Sequence, residues 1–115
     1  MTTTYTDEMM RERLAQARSY TMVVLRTTEK YGMDGSKDII WEHGRRNMGL
    51  QADGLMPIVC PVGDETGLAG IAIFVDDVDT VRSIMDGDPA IQAGILTYTV
   101  HPCRGFPGSA LPAKG

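Results

Sequence analysis

The sequence has few of the features that would assign a function directly. It contains two cysteines in 115 residues, Cys60 and Cys103, without CxxC spacing, which excludes a disulfide framework and a cysteine zinc site. Its longest apolar runs, such as residues 68–75, are far shorter than the roughly 20 residues that a membrane-spanning helix needs. The first residues lack the basic-then-apolar pattern of a secretory signal. We therefore expect a cytoplasmic protein with reduced cysteines and no membrane partner.

Clusters of basic residues and familiar catalytic motifs are also missing. The 11 basic and 15 acidic residues give a net charge of −4, and no lysine or arginine cluster favours a nucleic-acid partner. The sequence contains no Walker loop, GxGxxG, HExxH or GxSxG motif. Because no set of ligands has usable metal spacing, we expect neither a metal ion nor an organic cofactor. Any function must rest on a few residues that the fold brings together.

Apolar spacing and turn residues predict the order of secondary structure between residues 20 and 104. Four short runs rich in β-branched and large apolar residues are typical of strands, and two segments with helical spacing predict helices. The predicted strands cover 20–27, 55–61, 68–75 and 95–101, and the predicted helices cover 37–52 and the segment between Asp77 and Gly87. We expect Asp34 or Ser36 to cap the first helix and Pro102 to end the fourth strand.

The order β-α-β-β-α-β predicts an α+β, ferredoxin-like plait with a four-stranded antiparallel sheet. Strands one and three should lie at the centre, and Pro57 and Pro61 favour an edge position for strand two because proline lacks a ladder donor. A flavodoxin-like parallel sheet would need a crossover helix where only roughly five residues are available. An amphipathic helix is predicted in an N-terminal extension, residues 1–19, and a proline- and glycine-rich tail at 105–115.

The third predicted strand indicates a homodimer. Its residues are apolar on both faces, with Ile71 and Ile73 on one side and Ala72 and Phe74 on the other. The two helices of a plait cover only one face of its sheet, so the other face needs a cover. The same face of a second subunit is the simplest one.

Two residues stand out as candidates for chemistry, His43 and Asp88. His43 shares a helical stripe with Ile40 and Leu50, and burying its ring without a partner would cost about 1–3 kcal/mol. Asp88 follows the end of the second predicted helix, where the helix dipole disfavours an anion, so an imidazolium beside it would be stabilising. Two structural interpretations stay open: a hydrogen-bonded core histidine, and an aspartate that begins a turn before proline.

The remaining polar residues are expected to have structural or surface roles. Arg45 and Arg46 lie off the buried stripe of the first helix and should form a solvated face. His101 should lie at the surface or in an interface, and Cys60 should act as a small apolar residue on an edge strand.

The order and spacing of several residues resemble the YCII-related (YciI-like) proteins, small domains of the dimeric α/β-barrel superfamily. The residues that carry the resemblance are His43, Gly54, Pro61, Asp88-Pro89, Ala93-Gly94 and Pro102. The resemblance covers residues 20–104 and implies a plait that dimerises through its open sheet face to form a dimeric α/β barrel. It also implies a pocket in which His43 and Asp88 form an acid–base dyad.

A His–Asp pair can remove a proton from a small phenol, or from a carbon beside a carbonyl, without a metal or cofactor. One relative in the resembled family is a dehydrochlorinase of a chlorinated hydroxyquinol, which implies lyase chemistry. The predicted function is therefore a lyase- or isomerase-type enzyme for a small hydroxylated or aromatic substrate. The alternative is a non-catalytic, ligand-binding or accessory dimeric module. A heme- or quinone-handling monooxygenase of the same superfamily is less favoured, because no distinctive motif supports it.

Overall fold

The computed structural model describes residues 2–114, which form four strands and four helices. The strands are β1 (Arg18–Thr27), β2 (Ile58–Pro61), β3 (Leu68–Phe74) and β4 (Leu96–Gly105). The helices are α1 (Asp7–Leu14), α2 (Ser36–Ala52), α3 (Val78–Asp86) and α4 (Pro89–Gln92). All neighbouring strands are antiparallel, in the order β2-β3-β1-β4. This α+β arrangement is compatible with the predicted ferredoxin-like plait, with β1 and β3 central and β2 at an edge.

Helix α2 has the predicted extent, but its N-terminus differs from the prediction. Gly35, not Asp34 or Ser36, is the capping residue, with a φ of 84° that favours glycine. Ser36 is already the first helical residue, and its hydroxyl accepts a hydrogen bond from the amide of Gly32 at 3.1 Å. A glycine turn therefore sets the entry into this helix, and the predicted side-chain cap is wrong.

Two predicted strand boundaries are also wrong. β2 is shorter than predicted because the amides of Leu55 and Met56 donate to the carbonyl of Leu50 and close helix α2. β4 runs through Pro102, which pairs with Thr21 of β1. Because β4 is an edge strand, a residue without an N–H is tolerated there.

Helix α4 lies between α3 and β4, where the sequence pattern predicts no helix. Its C-terminal residues lead into Gly94, whose φ of 73° lies in the left-handed region. The amide of Ile95 donates to the carbonyl of Ala90 across this turn. The short helix is what places the residue before Pro89 against α2.

Helices α2, α3 and α4 pack on one face of the sheet, where the core lies. Val23, Ala72 and Phe74 of the central strands are buried there beneath Val81 and Met85 of α3. On the opposite face the intervening residues of β1 and β3 remain partly exposed, as the apolar pattern of β3 predicts. They are Met22, Val24, Ile71 and Ile73.

The two ends of the chain contact each other beside this sheet. α1, the predicted N-terminal helix, has no buried residue within its eight positions. The Arg13 guanidinium lies 4.6 Å from the centre of the Phe106 ring, and Arg104 donates to the carbonyl of Ala17. The radius of gyration is 16.6 Å, against about 13 Å for a globular chain of this length. Met1 and Gly115, the outermost residues of the predicted terminal segments, lie outside the described residues.

None of the helices within residues 2–114 has the length and apolar character required to cross a membrane.

Candidate active site

Helix α2 and the junction of α3 with α4 bring His43 and Asp88 together. His43 lies on the buried stripe of α2 and is 9% exposed, and Asp88 is fully buried. The Nδ1 atom of His43 lies 2.7 Å from Oδ2 of Asp88, so the ring N–H donates to the carboxylate. The predicted contact between the two residues is therefore confirmed. A catalytic role for the pair stays a prediction.

The surroundings of Asp88 differ from the sequence-based expectation. Asp88 is the capping residue of α4, and its Oδ1 accepts the amides of Ala90 at 2.8 Å and Ile91 at 3.3 Å. The prediction that Asp88 lies at an unfavourable helix end is wrong, because its carboxylate accepts hydrogen bonds from the free N–H groups at the start of α4. The two oxygens of Asp88 thus have separate partners: one caps α4 and the other orients His43.

The charge of Asp88 follows from these contacts. Burial alone would raise the pKa of Asp88. The hydrogen bond from His43, the charge of His43 and the amides of Ala90 and Ile91 lower the pKa, and their combined effect is larger than that of burial. The net result is a pKa below the ordinary value of 3.8. Asp88 is therefore a carboxylate near neutral pH, which keeps the Nδ1 proton on the imidazole.

Asn47 occupies the other nitrogen of the His43 ring. Its Nδ2 lies 3.2 Å from Nε2 of His43, one helical turn away on the same face of α2. An amide N–H that donates to Nε2 fits a neutral ring with its proton on Nδ1. Asn47 is not among the candidate residues that the sequence indicates. The i, i+4 spacing from His43 was the signal that could have found it.

Arg46 is the second residue that the sequence prediction missed. Its Nη1 atom is buried, lies 3.8 Å from Oδ2 of Asp88, and has no hydrogen-bond partner among the described residues. The predicted solvated position is wrong for Arg46, because an i, i+3 spacing from His43 turns it toward Asp88. Arg45 does lie on the solvated face, where it pairs with Glu42 at 3.1 Å.

A cavity of about 370 Å³ lies in front of the His43 ring, between α2 and the β2–β3 edge of the sheet. The cavity opens to solvent. The His43 side chain is 11% exposed, whereas the Asp88 side chain is buried behind the His43 ring. Apart from His43, the described residues that line the cavity include no aspartate, glutamate, lysine or arginine. They are Leu25, Tyr31, Ile40, Gly44, Asn47, Met48, Gln51, Val59, Cys60, Pro61, Val62, Ala69, Gly70 and Leu96.

The other candidate side chains lie apart from the His–Asp pair. His101 is exposed on β4, as expected, with its Nε2 atom 2.8 Å from the Thr99 hydroxyl. Cys60 is a partly buried thiol on the edge strand β2 that borders the cavity, and Cys103 is a second free thiol. Over residues 2–114, no group of three or more histidine, cysteine, aspartate or glutamate side chains could hold a metal ion.

Comparison with known proteins adds no relative: no protein-family model matches the chain, and no curated protein matches it. The resemblance to YCII-related proteins therefore stays a prediction from the order and spacing of residues.

Proposed function

We propose that this protein is a YCII-like enzyme that uses His43 and Asp88 for proton transfer on a small hydroxylated or aromatic substrate, in a lyase- or isomerase-type reaction. One observation carries the proposal. The Nδ1 side of His43 is held by a buried carboxylate, while its ring reaches an open, mostly apolar cavity. A base that is fixed on one side and borders an open cavity on the other is suited to general-base catalysis once a substrate takes the place of the Asn47 amide at Nε2.

The roles of the two residues follow from the atoms that they present. Asp88 holds the imidazole in one tautomer and stabilises the imidazolium that forms when Nε2 takes a proton. The electron pair of the broken C–H or O–H bond stays on the substrate. In an elimination it forms a double bond as a leaving group departs with its own pair, and in an isomerisation the proton returns at another atom. General acid–base catalysis of this kind contributes about 10²–10⁴-fold to a rate.

The proposal includes a cytoplasmic homodimer, closed as a dimeric α/β barrel by the two open sheet faces. The support is the partly exposed apolar surface of the central strands, where Ile71 is 37% exposed. Covering that surface with its own copy removes apolar area from water on both subunits at once.

Hydrogen exchange at carbon tests the proposed reaction without knowledge of the natural substrate. The protein is incubated in deuterium oxide with small polyhydroxybenzenes and simple ketones, and loss of carbon-bound protons is followed by proton NMR. We expect accelerated exchange ortho to a hydroxyl or beside a carbonyl for at least one compound. His43→Ala should abolish it, and Arg45→Ala, which changes an exposed residue of the same helix, should leave it unchanged.

The contact between Asn47 and His43 favours one alternative, a non-catalytic ligand-binding module. With Nε2 already accepting from an amide, both ring nitrogens are satisfied within the protein. The alternative predicts saturable binding of a small aromatic compound without acceleration of its exchange. Exchange that depends on His43 would contradict it.

A further inference from the structure

We propose that Asn47 is a catalytic residue that releases His43 to a bound substrate and then donates a hydrogen bond to the oxyanion that proton transfer creates. The substrate class that fits this role is a neutral molecule with a weakly acidic hydroxyl, either a phenol or an enol. This inference rests on the proposed function of His43 as a base.

In the neutral ring Nε2 has a single lone pair. In the neutral ring this lone pair accepts from Asn47 at 3.2 Å. A substrate hydroxyl can deliver its proton only to that lone pair, so it must take the place of the Asn47 N–H. The displaced amide then lies beside the oxygen that displaced it, because both groups were directed at the same atom.

The charged groups around the site determine which donors can stabilise an oxyanion in the cavity. Asp88 lies behind the ring, and the nearest described cation to it besides His43 is Arg46, which does not line the cavity. The described cavity walls carry neither lysine nor arginine. An oxyanion formed in the cavity is therefore stabilised by the imidazolium itself and by neutral donors. Gln51 already donates to the carbonyl of Pro57 at 3.1 Å, which leaves Asn47 as the amide positioned for this role.

The same walls select the substrate. A carboxylate or phosphate brings a charge that would lose its water among apolar side chains without a cation in return, which is strongly unfavourable. A neutral phenol or enol enters without that cost and becomes charged only beside the imidazolium. The step is balanced: the O–H bond breaks, its electron pair stays on oxygen, and the proton forms the Nε2–H bond.

The test uses 4-nitrophenol as the probe, because its phenolate absorbs visible light and its neutral form does not. It is titrated with protein at a pH where the free probe is mostly neutral. We expect wild-type protein to bind it as phenolate. Asn47→Leu, which removes the amide at similar volume, should lower the ratio of bound phenolate to bound phenol about tenfold, as expected for a lost hydrogen bond to a charged group. Asn47→Gln, which keeps an amide, should restore part of it.

The outcomes separate this inference from the proposed function. An unchanged phenolate ratio in both Asn47→Leu and Asn47→Ala would overturn the role of Asn47 while leaving His43 as the proton acceptor. A wild-type protein that binds the probe only as neutral phenol, or does not bind it, would contradict proton acceptance and the inference together. Arg45→Ala serves as the control and should match wild type. Tight binding of benzoate or phenyl phosphate would contradict the selection for neutral ligands.

Discussion

At the scale of single residues, Asp88 connects the fold to the site. One carboxylate oxygen satisfies two amides at the start of α4, and the other holds His43 with Arg46 nearby. Removing the side chain therefore affects helix α4 and the orientation of the imidazole together.

Asp88→Asn should destabilise the protein by about 2–3 kcal/mol, because the buried His43 ring and the partly buried Arg46 guanidinium lose their anionic partner. The amide oxygen can still accept from Ala90 and Ile91, so the cap itself is retained. Urea unfolding measures the change. A loss below about 0.5 kcal/mol, the usual range for surface substitutions, would show that the buried pair contributes little to stability.

The difference in unfolding free energy between wild type and Asp88→Asn should depend on pH. Because the pKa of Asp88 is lower in the folded chain than its ordinary value of 3.8, the folded state favours the carboxylate. Its stabilising contribution is complete above the unfolded value and is lost as the pH falls toward the folded pKa. Unfolding curves of wild type and Asp88→Asn should therefore converge on acidification below about pH 4. Curves that stay parallel would contradict the lowered pKa.

At the scale of secondary-structure elements, the contact between β2 and β3 sets the cavity edge. A Cβ atom at Gly70 would lie 3.1 Å from the carbonyl oxygen of Cys60, so the backbones approach closely there. Both residues border the cavity. A side chain at this position must push β2 away from β3.

Gly70→Ala should destabilise the protein by about 1–3 kcal/mol through this overpacking. Gly49→Ala is the matched control, because Gly49 is exposed in the last turn of α2 with no atom within 4 Å of the added methyl group. It should stabilise the helix by up to about 1 kcal/mol. Thermal unfolding compares the two. Equal shifts for both variants would contradict the close approach of β2 and β3.

The elements also show where prediction from sequence ends. The spacing of Ile40, His43 and Leu50 was enough to predict α2 and its buried stripe, since long amphipathic periodicity is a strong signal. Helix α4 has four residues and no periodicity, so the sequence signal for the Asp88 cap was only the aspartate before a proline, which is also typical of a turn. The sequence paired His43 with Asp88 but left out Arg46, because only the tertiary structure brings Asp88 beside it. It also left out Asn47, although the i, i+4 spacing from His43 was visible.

At the scale of the whole molecule, the open sheet face is the feature that a second copy would cover. Sedimentation at micromolar concentration should give about 25 kDa, twice the chain mass of 12.5 kDa. Ile71→Lys places a charge on this face and should yield a folded monomer. Trp41→Lys, which changes an exposed residue of α2 on the other side of the sheet, should leave the dimer intact. A wild-type monomer would remove the proposed barrel.

The nitrogen NMR spectrum of the histidine rings shows whether Nε2 of His43 accepts a proton from a bound hydroxyl. In the free protein at a pH where the ring is neutral, His43 should carry its only ring proton on Nδ1, directed at Asp88. Saturation with 4-nitrophenol should add a proton on Nε2, so that both nitrogens of His43 show N–H signals while His101 is unaffected. A bound probe that leaves Nε2 of His43 unprotonated would contradict the account.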